Sequence, residues 1–356
     1  MDNKNQSSNP PSSSTGDAPE NLTVLVTGGS GYLASWTIVD LLKRGYRVRT
    51  TVRDLSRSQA VRSMIASKVP THDQLSFVEA NLLDDEGWKQ ATAETDYVLH
   101  VASPMPVGEY RGTDLIGPAV DGTLRVLRAA REAGVRRVVL TSSANTALPA
   151  AKSGVVADES IWTEVPDTTA HAYPRSKTLA EQAAWSFANS SGLELTSVLP
   201  AFMQGPVLGG DYSGSIDVIA RMLNGGLPAI PHVGWNIVDV RDVADLHLRA
   251  MTAPEAAGQR FIGGGEFLWL TDIAVILRKH LGEKAAKISI RALPNAVVRI
   301  GSLFNDEMKQ MVPLLGVRQE VTSAKAERVL GWKARPAATA IRDGASSLID
   351  QKLVQI

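Results

Sequence analysis

Cysteine is absent from all 356 positions of this chain. Disulfides, thiolate metal sites and cysteine nucleophiles are excluded together, and the composition suits a reducing compartment. An excess of charge is also missing. Lys+Arg and Asp+Glu each number 37, which leaves no basic footprint for nucleic acid or an anionic membrane surface. No stretch reaches the roughly 18 apolar residues of a membrane span, and no His/Asp/Glu cluster has metal-ligand spacing. The opening segment, MDNKNQSSNPPSSSTGDAPEN, lacks the continuous apolar run of a signal peptide. It also holds too little apolar surface to offset the entropy of ordering. Residues 1–21 are therefore expected to be a disordered tail on a soluble cytoplasmic protein.

What is present is a hydrophobic fraction of 44%, enough for one large domain or a main domain with a smaller lobe. From Leu22 onward, short β-branched runs alternate with longer helical ones. Leu22–Thr27, Arg47–Val52, Leu75–Ala80, Tyr97–Ala102, Arg137–Thr141 and Leu193–Leu199 read as strands. Leu33–Arg44, Ala119–Ala133 and Pro174–Ala188 read as helices, the first two stopping at Gly45 and Gly134. This alternation predicts an α/β fold, a Rossmann-type doubly wound parallel sheet with helices on both faces. Beyond Pro200 the rhythm breaks: Gly205–Gly214 and Pro228–Gly234 read as loops over a site. A helix is expected over 243–252, its start tied down by Asp239 and Asp242. Gly263–Gly265, after Phe261-Ile262, reads as a strand-to-loop turn. The expected division is a sheet domain over 22–200 and a smaller lobe over 201–356, some segments of which return to the sheet.

Thr27-Gly28-Gly29-Ser30-Gly31-Tyr32-Leu33-Ala34 sits where the first strand gives way to the first helix. There Gly28 permits a tight turn, Gly31 lets a pyrophosphate approach the helix N-terminus, and Ala34 allows close helix–strand packing. Gly28, Gly31, Tyr32 and Leu33 are the candidate contacts of a dinucleotide. No Gly-Lys-Ser/Thr follows, which excludes an NTPase phosphate loop. The second strand ends on Arg53-Asp54, with Arg57 close behind. Arg53 can grip a 2′-phosphate in bidentate fashion, favouring NADPH; Asp54 could instead serve the ribose of NAD.

Tyr173 and Lys177, four apart at the opening of a helix, lie on one face, with Pro174 suited to the first turn. A phenol of ordinary pKa exchanges protons poorly at neutral pH, and a neighbouring ammonium stabilises its phenolate. Ser143 stands at the C-terminal end of the fifth strand, the edge where ligand groups gather in a parallel sheet. A hydroxyl there can hold a carbonyl oxygen beside Tyr173.

At these residues the chain resembles an extended short-chain dehydrogenase/reductase, and within it the dihydroflavonol 4-reductase, cinnamoyl-CoA reductase and aldehyde reductase group. The matching stretches are LVTGGSGYLASW, GYRVRTTVRD, HVASP, VDGTLRVLRAA, RRVVLTSSA, YPRSKTLAEQAAW, VDVRDVADLHLRAM and the late LGW. The resemblance implies an NADPH-dependent reduction of an aldehyde or ketone, with Ser143, Tyr173 and Lys177 catalytic. It implies that Lys177 also binds the nicotinamide ribose and that Arg53 holds the 2′-phosphate. Val101, Ala102 and Ser103 match the segment passing the adenosine ribose, Pro200–Met203 the turn beside the nicotinamide, and Ser215 a serine closing over the pyrophosphate. Asn81-Leu82 stands where the group has Asp-Leu, and Asn81 can still accept from an adenine amine. Leu148 occupies the place of an Asn that meets the catechol of flavonoid substrates, which weighs against a flavonoid here. His171 is the nearest other proton donor in sequence, at the substrate entrance or on an exposed loop. The expected partner is a small carbonyl compound, with no nucleic acid and no membrane, and the chain a monomer or homodimer. An NAD-dependent sugar-nucleotide epimerase or dehydratase, and a non-catalytic NADP sensor, share the fold and are the alternatives.

Overall fold

The computed structural model describes residues 18–104, 115–151, 153–164, 166, 172–212 and 214–356, with His72 by its main chain. Most of the expected tail, and His171, lie outside these residues. The end of that segment is ordered, contrary to expectation: Pro19–Asn21 form a 3₁₀ turn leading into the first strand, closed by Leu22 N–H on Pro19 O.

The central sheet has seven strands, all parallel, in the order β3-β2-β1-β4-β5-β6-β10. They are β1 (Thr23–Val26), β2 (Arg47–Val52), β3 (Leu75–Glu79), β4 (Tyr97–His100), β5 (Arg137–Thr141), β6 (Leu195–Pro200) and, late in the chain, β10 (Arg260–Gly263). The side chains alternate between two cores. Val24, Val26, Leu99, Val139 and Val198 face one, with α1 (Tyr32–Lys43) and α7 (Val240–Thr252); α2 (Ser58–Ala66) lies on the same side. Leu25, Val98, Val138, Leu140 and Leu195 face the other. That layer is built by α3 (Trp88–Thr92), α4 (Ile116–Glu132) and α5 (Ala172–Ser191). Burial on both faces is why β1, β4, β5 and β6 read as largely apolar runs, whereas β3 at the edge alternates buried Leu75 and Val78 with exposed Ser76 and Glu79.

Two small sheets carry the rest. One is β11-β9-β7, from β7 (Phe202–Gln204), β9 (Gly234–Asp239) and β11 (Phe267–Trp269). The other pairs β8 (Ile230–Pro231) with β12 (Ala292–Leu293). Part of Pro228–Gly234 is thus strand, not loop. Gly263 likewise belongs to β10, the sheet's edge, and pairs with Pro200. Around them pack α6 (Gly214–Leu223), α8 (Leu270–Leu281), α9 (Asn295–Gly301), α10 (Asp306–Met311), α11 (Ala324–Leu330) and α12 (Ala337–Asp350). Helix α7 starts three residues before its expected beginning, and Asp239 caps it by accepting from Arg241 N–H at 2.8 Å. Asp242 does something else: its carboxylate takes the Arg335 N–H at 2.7 Å and the Arg335 guanidinium at 2.6 Å, tying α7 to the segment before α12. Among the described residues no helix is long and apolar enough to cross a membrane.

Candidate active site

The strand order reverses between β1 and β4, and the crevice beyond their C-terminal ends is where such sheets hold ligands. Thr27 closes the base of that crevice. Its Oγ1 accepts the N–H groups of Val101 and Ala102 at 3.0 and 2.9 Å, and lies 2.9 Å from His100 Nδ1. With both lone pairs filled, the hydroxyl has only its proton left to offer, so it donates to Nδ1 and His100 is the Nε2–H tautomer. Burial, reinforced by the nearby Lys177 charge, lowers the pKa of His100 to about 3 and keeps the ring neutral. The amides of Val101 and Ala102 are consequently spent on Thr27. A ligand passing this segment would meet its side chains and carbonyls.

Gly28 has φ +74°, and a Cβ there would stand 3.0 Å from Ala102 Cβ, so a side chain would be both strained and crowded against the crevice floor. Gly29, not singled out from sequence, is equally constrained, because a Cβ would overlap the Thr50 hydroxyl on β2. Gly31 is the N-cap of α1 and makes no side-chain cap, which leaves the first-turn amides at Tyr32 and Leu33 for an anion. The Tyr32 side chain points elsewhere: it is buried and donates to Gly205 O at 2.8 Å. Burial, then the Asp239 carboxylate, raises its phenol pKa. Any part Tyr32 takes in holding a dinucleotide falls to its main chain.

At the end of β2, Arg53 is exposed and forms no ion pair with the described residues. Asp54 is committed to the chain itself. Its carboxylate caps the next turn by accepting from Ser56 N–H at 2.8 Å, a bond that lowers its pKa. Arg57 is ion-paired with Asp211. Asn81 also has a structural duty: its Oδ1 accepts from Leu83 N–H at 3.1 Å and its carbonyl from Trp88 Nε1 at 3.1 Å. Leu82 packs against Gly122 of α4, where a Cβ would come within 2.9 Å of it.

The chemistry-bearing side chains meet where β5 ends. Ser143 caps a 3₁₀ turn over Ala144–Thr146, its Oγ accepting from Asn145 N–H at 3.2 Å. Tyr173, in the first turn of α5, is half-buried; burial raises its phenol pKa, and the Ser143 hydroxyl nearby opposes that rise. One turn on, Lys177 is buried and its Nζ donates to Thr141 O at 3.3 Å. Burial lowers its pKa to about 8, against the opposing pull of Glu181. A cavity of about 10 Å³ beside Lys177 is bordered by Ala102, Ser103, Thr141 and Ser142.

Glu181, missed from sequence, organises the whole corner. Its two oxygens accept from Ser142 Oγ at 2.7 Å, Thr146 Oγ1 and Ser197 Oγ at 2.6 Å each, and Arg260 Nε at 2.9 Å. Burial raises the pKa of this carboxyl, but Arg260 and the hydroxyls outweigh it and hold the group ionised. Arg260 lies over the Trp162 ring at 3.8 Å and also takes the carbonyls of Glu159 and Ile161, each at 2.8 Å. The turn carrying Ser143 and the 159–162 loop are thereby fixed to the helix carrying Tyr173 and Lys177. Glu181 had a readable signal, four residues beyond Lys177 on the same face. Arg260 had none, since its partner is 79 residues away.

Of the remaining expected residues, Pro200 ends β6 beside Gly263, and Met203 lies in β7 opposite Val238 of β9. Ser215 is in the first turn of α6, where its carbonyl accepts from Gln204 Nε2 at 2.7 Å. The Phe202 and Trp235 rings stack at 4.5 Å across β7 and β9. Leu148 exchanges two hydrogen bonds with Thr163, accepting at 2.9 Å and donating at 2.7 Å.

A doubly wound sheet with a glycine turn at its switch point and a Ser–Tyr–Lys cluster at the next strand end defines an extended short-chain dehydrogenase/reductase. The chain belongs to the NAD dependent epimerase/dehydratase family, whose profile matches residues 24–263. It is 36% identical to cinnamoyl-CoA reductase 1 of Petunia hybrida over 295 residues, covering 81% of this chain and 86% of that one. It is 32% identical to dihydroflavonol 4-reductase of Zea mays over 274 residues, 75% of this chain and 76% of the other. Among solved structures, the yeast methylglyoxal/isovaleraldehyde reductase complexed with NADPH superposes with a TM-score of 0.76. At 24% identity, that match covers 93% of this chain and 99% of that one.

Proposed function

We propose that this protein reduces an aldehyde or ketone to an alcohol at the expense of NADPH, with Tyr173 as the general acid. The observation that carries the reading is the convergence of Ser143, at the end of β5, with Tyr173 and the buried Lys177, one turn apart at the start of α5. The names of the plant relatives and of the NADPH-complexed yeast structure support it. The cofactor's site fits on two counts. The Gly28 turn leaves a cradle that a Cβ would fill, and Arg53 stands exposed at the β2 end while Asp54 is occupied as a cap. That second pairing favours the 2′-phosphate over a bare ribose, and so a reductase over an epimerase.

When bound, NADPH supplies the hydride. Gly28, Gly31 and the amides at Tyr32 and Leu33 would hold its pyrophosphate, with Ser215 closing over it; Arg53 would take the 2′-phosphate and Asn81-Leu82 the adenine. Val101–Ser103, Pro200 and Met203 would line its path. Ser143 Oγ holds the substrate's carbonyl oxygen, and Tyr173 delivers the proton to it. Burial keeps the phenol protonated until it is needed. The Lys177 ammonium then stabilises the phenolate and also grips the nicotinamide ribose. Residues 201–356 supply most of the substrate lobe, with Leu148 presenting an apolar wall in place of a polar anchor. We place the enzyme in the cytoplasm, as a monomer or homodimer.

The test is a panel of aldehydes and ketones with NADPH and NADH, followed by the reduced-nicotinamide absorbance. Carbonyl-dependent oxidation faster with NADPH is expected. Absence of carbonyl-dependent oxidation with either cofactor across the panel would overturn the proposal.

A further inference from the structure

The segment leaving β7 runs as a strap over α1 to the start of α2, near the end of β2. Gly205 O accepts from Tyr32 OH and Pro206 O from Trp36 Nε1, both at 2.8 Å, so the strap crosses α1. Gly209 then passes so close to α2 that a Cβ would stand 2.9 Å from Met64 Sδ. The strap ends on an ion pair between Asp211 and Arg57, the N-cap of α2, both partners being exposed. Arg57 already lies in the field of Asp54. Arg53, four residues earlier, has no carboxylate partner among the described residues.

We propose that Asp211 is a cofactor-specificity residue, whose carboxylate competes with the 2′-phosphate for Arg57. The inference rests on the reading that Arg53 holds that phosphate, and adds to it Arg57, four residues further on. A phosphate dianion beside Arg53 draws Arg57 toward itself and repels Asp211, so its entry is made against the existing pair. A ribose without the phosphate leaves the pair alone. Asp211 therefore weakens NADP(H) selectively, and binding of the phosphorylated cofactor loosens the end of the strap. Because the pair is exposed, the effect is limited to roughly two- to fivefold and fades with salt.

The experiment measures dissociation constants of NADP⁺ and NAD⁺ by intrinsic tryptophan fluorescence for the full chain, Asp211→Asn and Arg57→Ala, at low and high ionic strength. Asp211→Asn is expected to tighten NADP⁺ about two- to fivefold at low salt, with NAD⁺ unchanged. Arg57→Ala is expected to weaken NADP⁺ alone. If Arg57→Ala lowers discrimination while Asp211→Asn leaves NADP⁺ binding unchanged or weaker, the competition is refuted and the phosphate site stands. If Arg57→Ala changes nothing, the phosphate reading of Arg57 fails, and the role of Asp211 falls with it.

Discussion

Lys177 carries its charge at a cost to the fold. An ammonium whose pKa is lowered to about 8 by burial binds its proton less tightly in the folded chain than in the unfolded one. Between about pH 8 and the ordinary lysine value near 10.4, stability therefore rises with pH, and below pH 8 the full penalty applies. Lys177→Met should melt higher than the wild type at pH 7, by about 1–3 kcal/mol, while losing turnover and NADPH affinity. The gain should shrink as pH climbs past 8, as differential scanning fluorimetry across pH can check. A variant less stable than wild type at pH 7 would show that Lys177 serves packing first. The placement of Tyr173 and Lys177 on one face was legible from their spacing of four, and their candidacy from its combination with the glycine loop and the strand-end Ser143. The duty of Thr27, by contrast, depends on amides 74 and 75 residues away, which no local pattern announces.

At the scale of elements, the Glu181–Arg260 pair joins α5 to β10, the edge strand of the main sheet. Both groups are buried, so removing one strands the other's charge, at about 3–5 kcal/mol. Glu181→Leu and Arg260→Met should each lose stability on that order in urea. The double variant should cost less than their sum by at least about 0.5 kcal/mol. Strictly additive losses would mean that the two groups act on separate neighbours. The same contrast governs how far elements could be read from sequence. Strands β1 to β6 were found within a few residues; burial on both faces writes β1, β4, β5 and β6 as largely apolar runs, while β2 and β3 showed as short β-branched or alternating stretches. Strands β7, β8 and β12 are two or three residues long, and their pairing is set by partners elsewhere, so nothing in their own composition marks them. The prolines of Pro228–Gly234 concealed β8, which puts Pro231 at the edge of a two-stranded pair.

Across the molecule, two buried histidines link stability to acid. His247 donates from Nδ1 to Val243 O and accepts from the Thr141 hydroxyl on Nε2, both at 2.8 Å, and burial lowers its pKa to about 4. His100 is lowered to about 3. Below about pH 6.5 the unfolded chain takes up protons that the folded chain refuses. The stability they confer is complete above that pH and is lost as pH falls, at about 1.4 kcal/mol per pH unit for each ring. Denaturant midpoints between pH 6.5 and 5 should fall accordingly, and His247→Gln should flatten the slope by one proton's worth. An unchanged slope in that variant would mean that His247 already carries a proton in the fold.

The account as a whole depends on Tyr173 giving the proton that carbonyl reduction requires. The most direct measurement is single-turnover hydride transfer in Tyr173→Phe, with NADPH affinity determined on the same preparation. The phenol acts mainly in the transition state, so the hydride-transfer rate should fall about 10²–10⁴-fold while the NADPH dissociation constant stays within a factor of about two. Retention of more than about a tenth of the wild-type rate, with hydride transfer still limiting, would contradict the assignment.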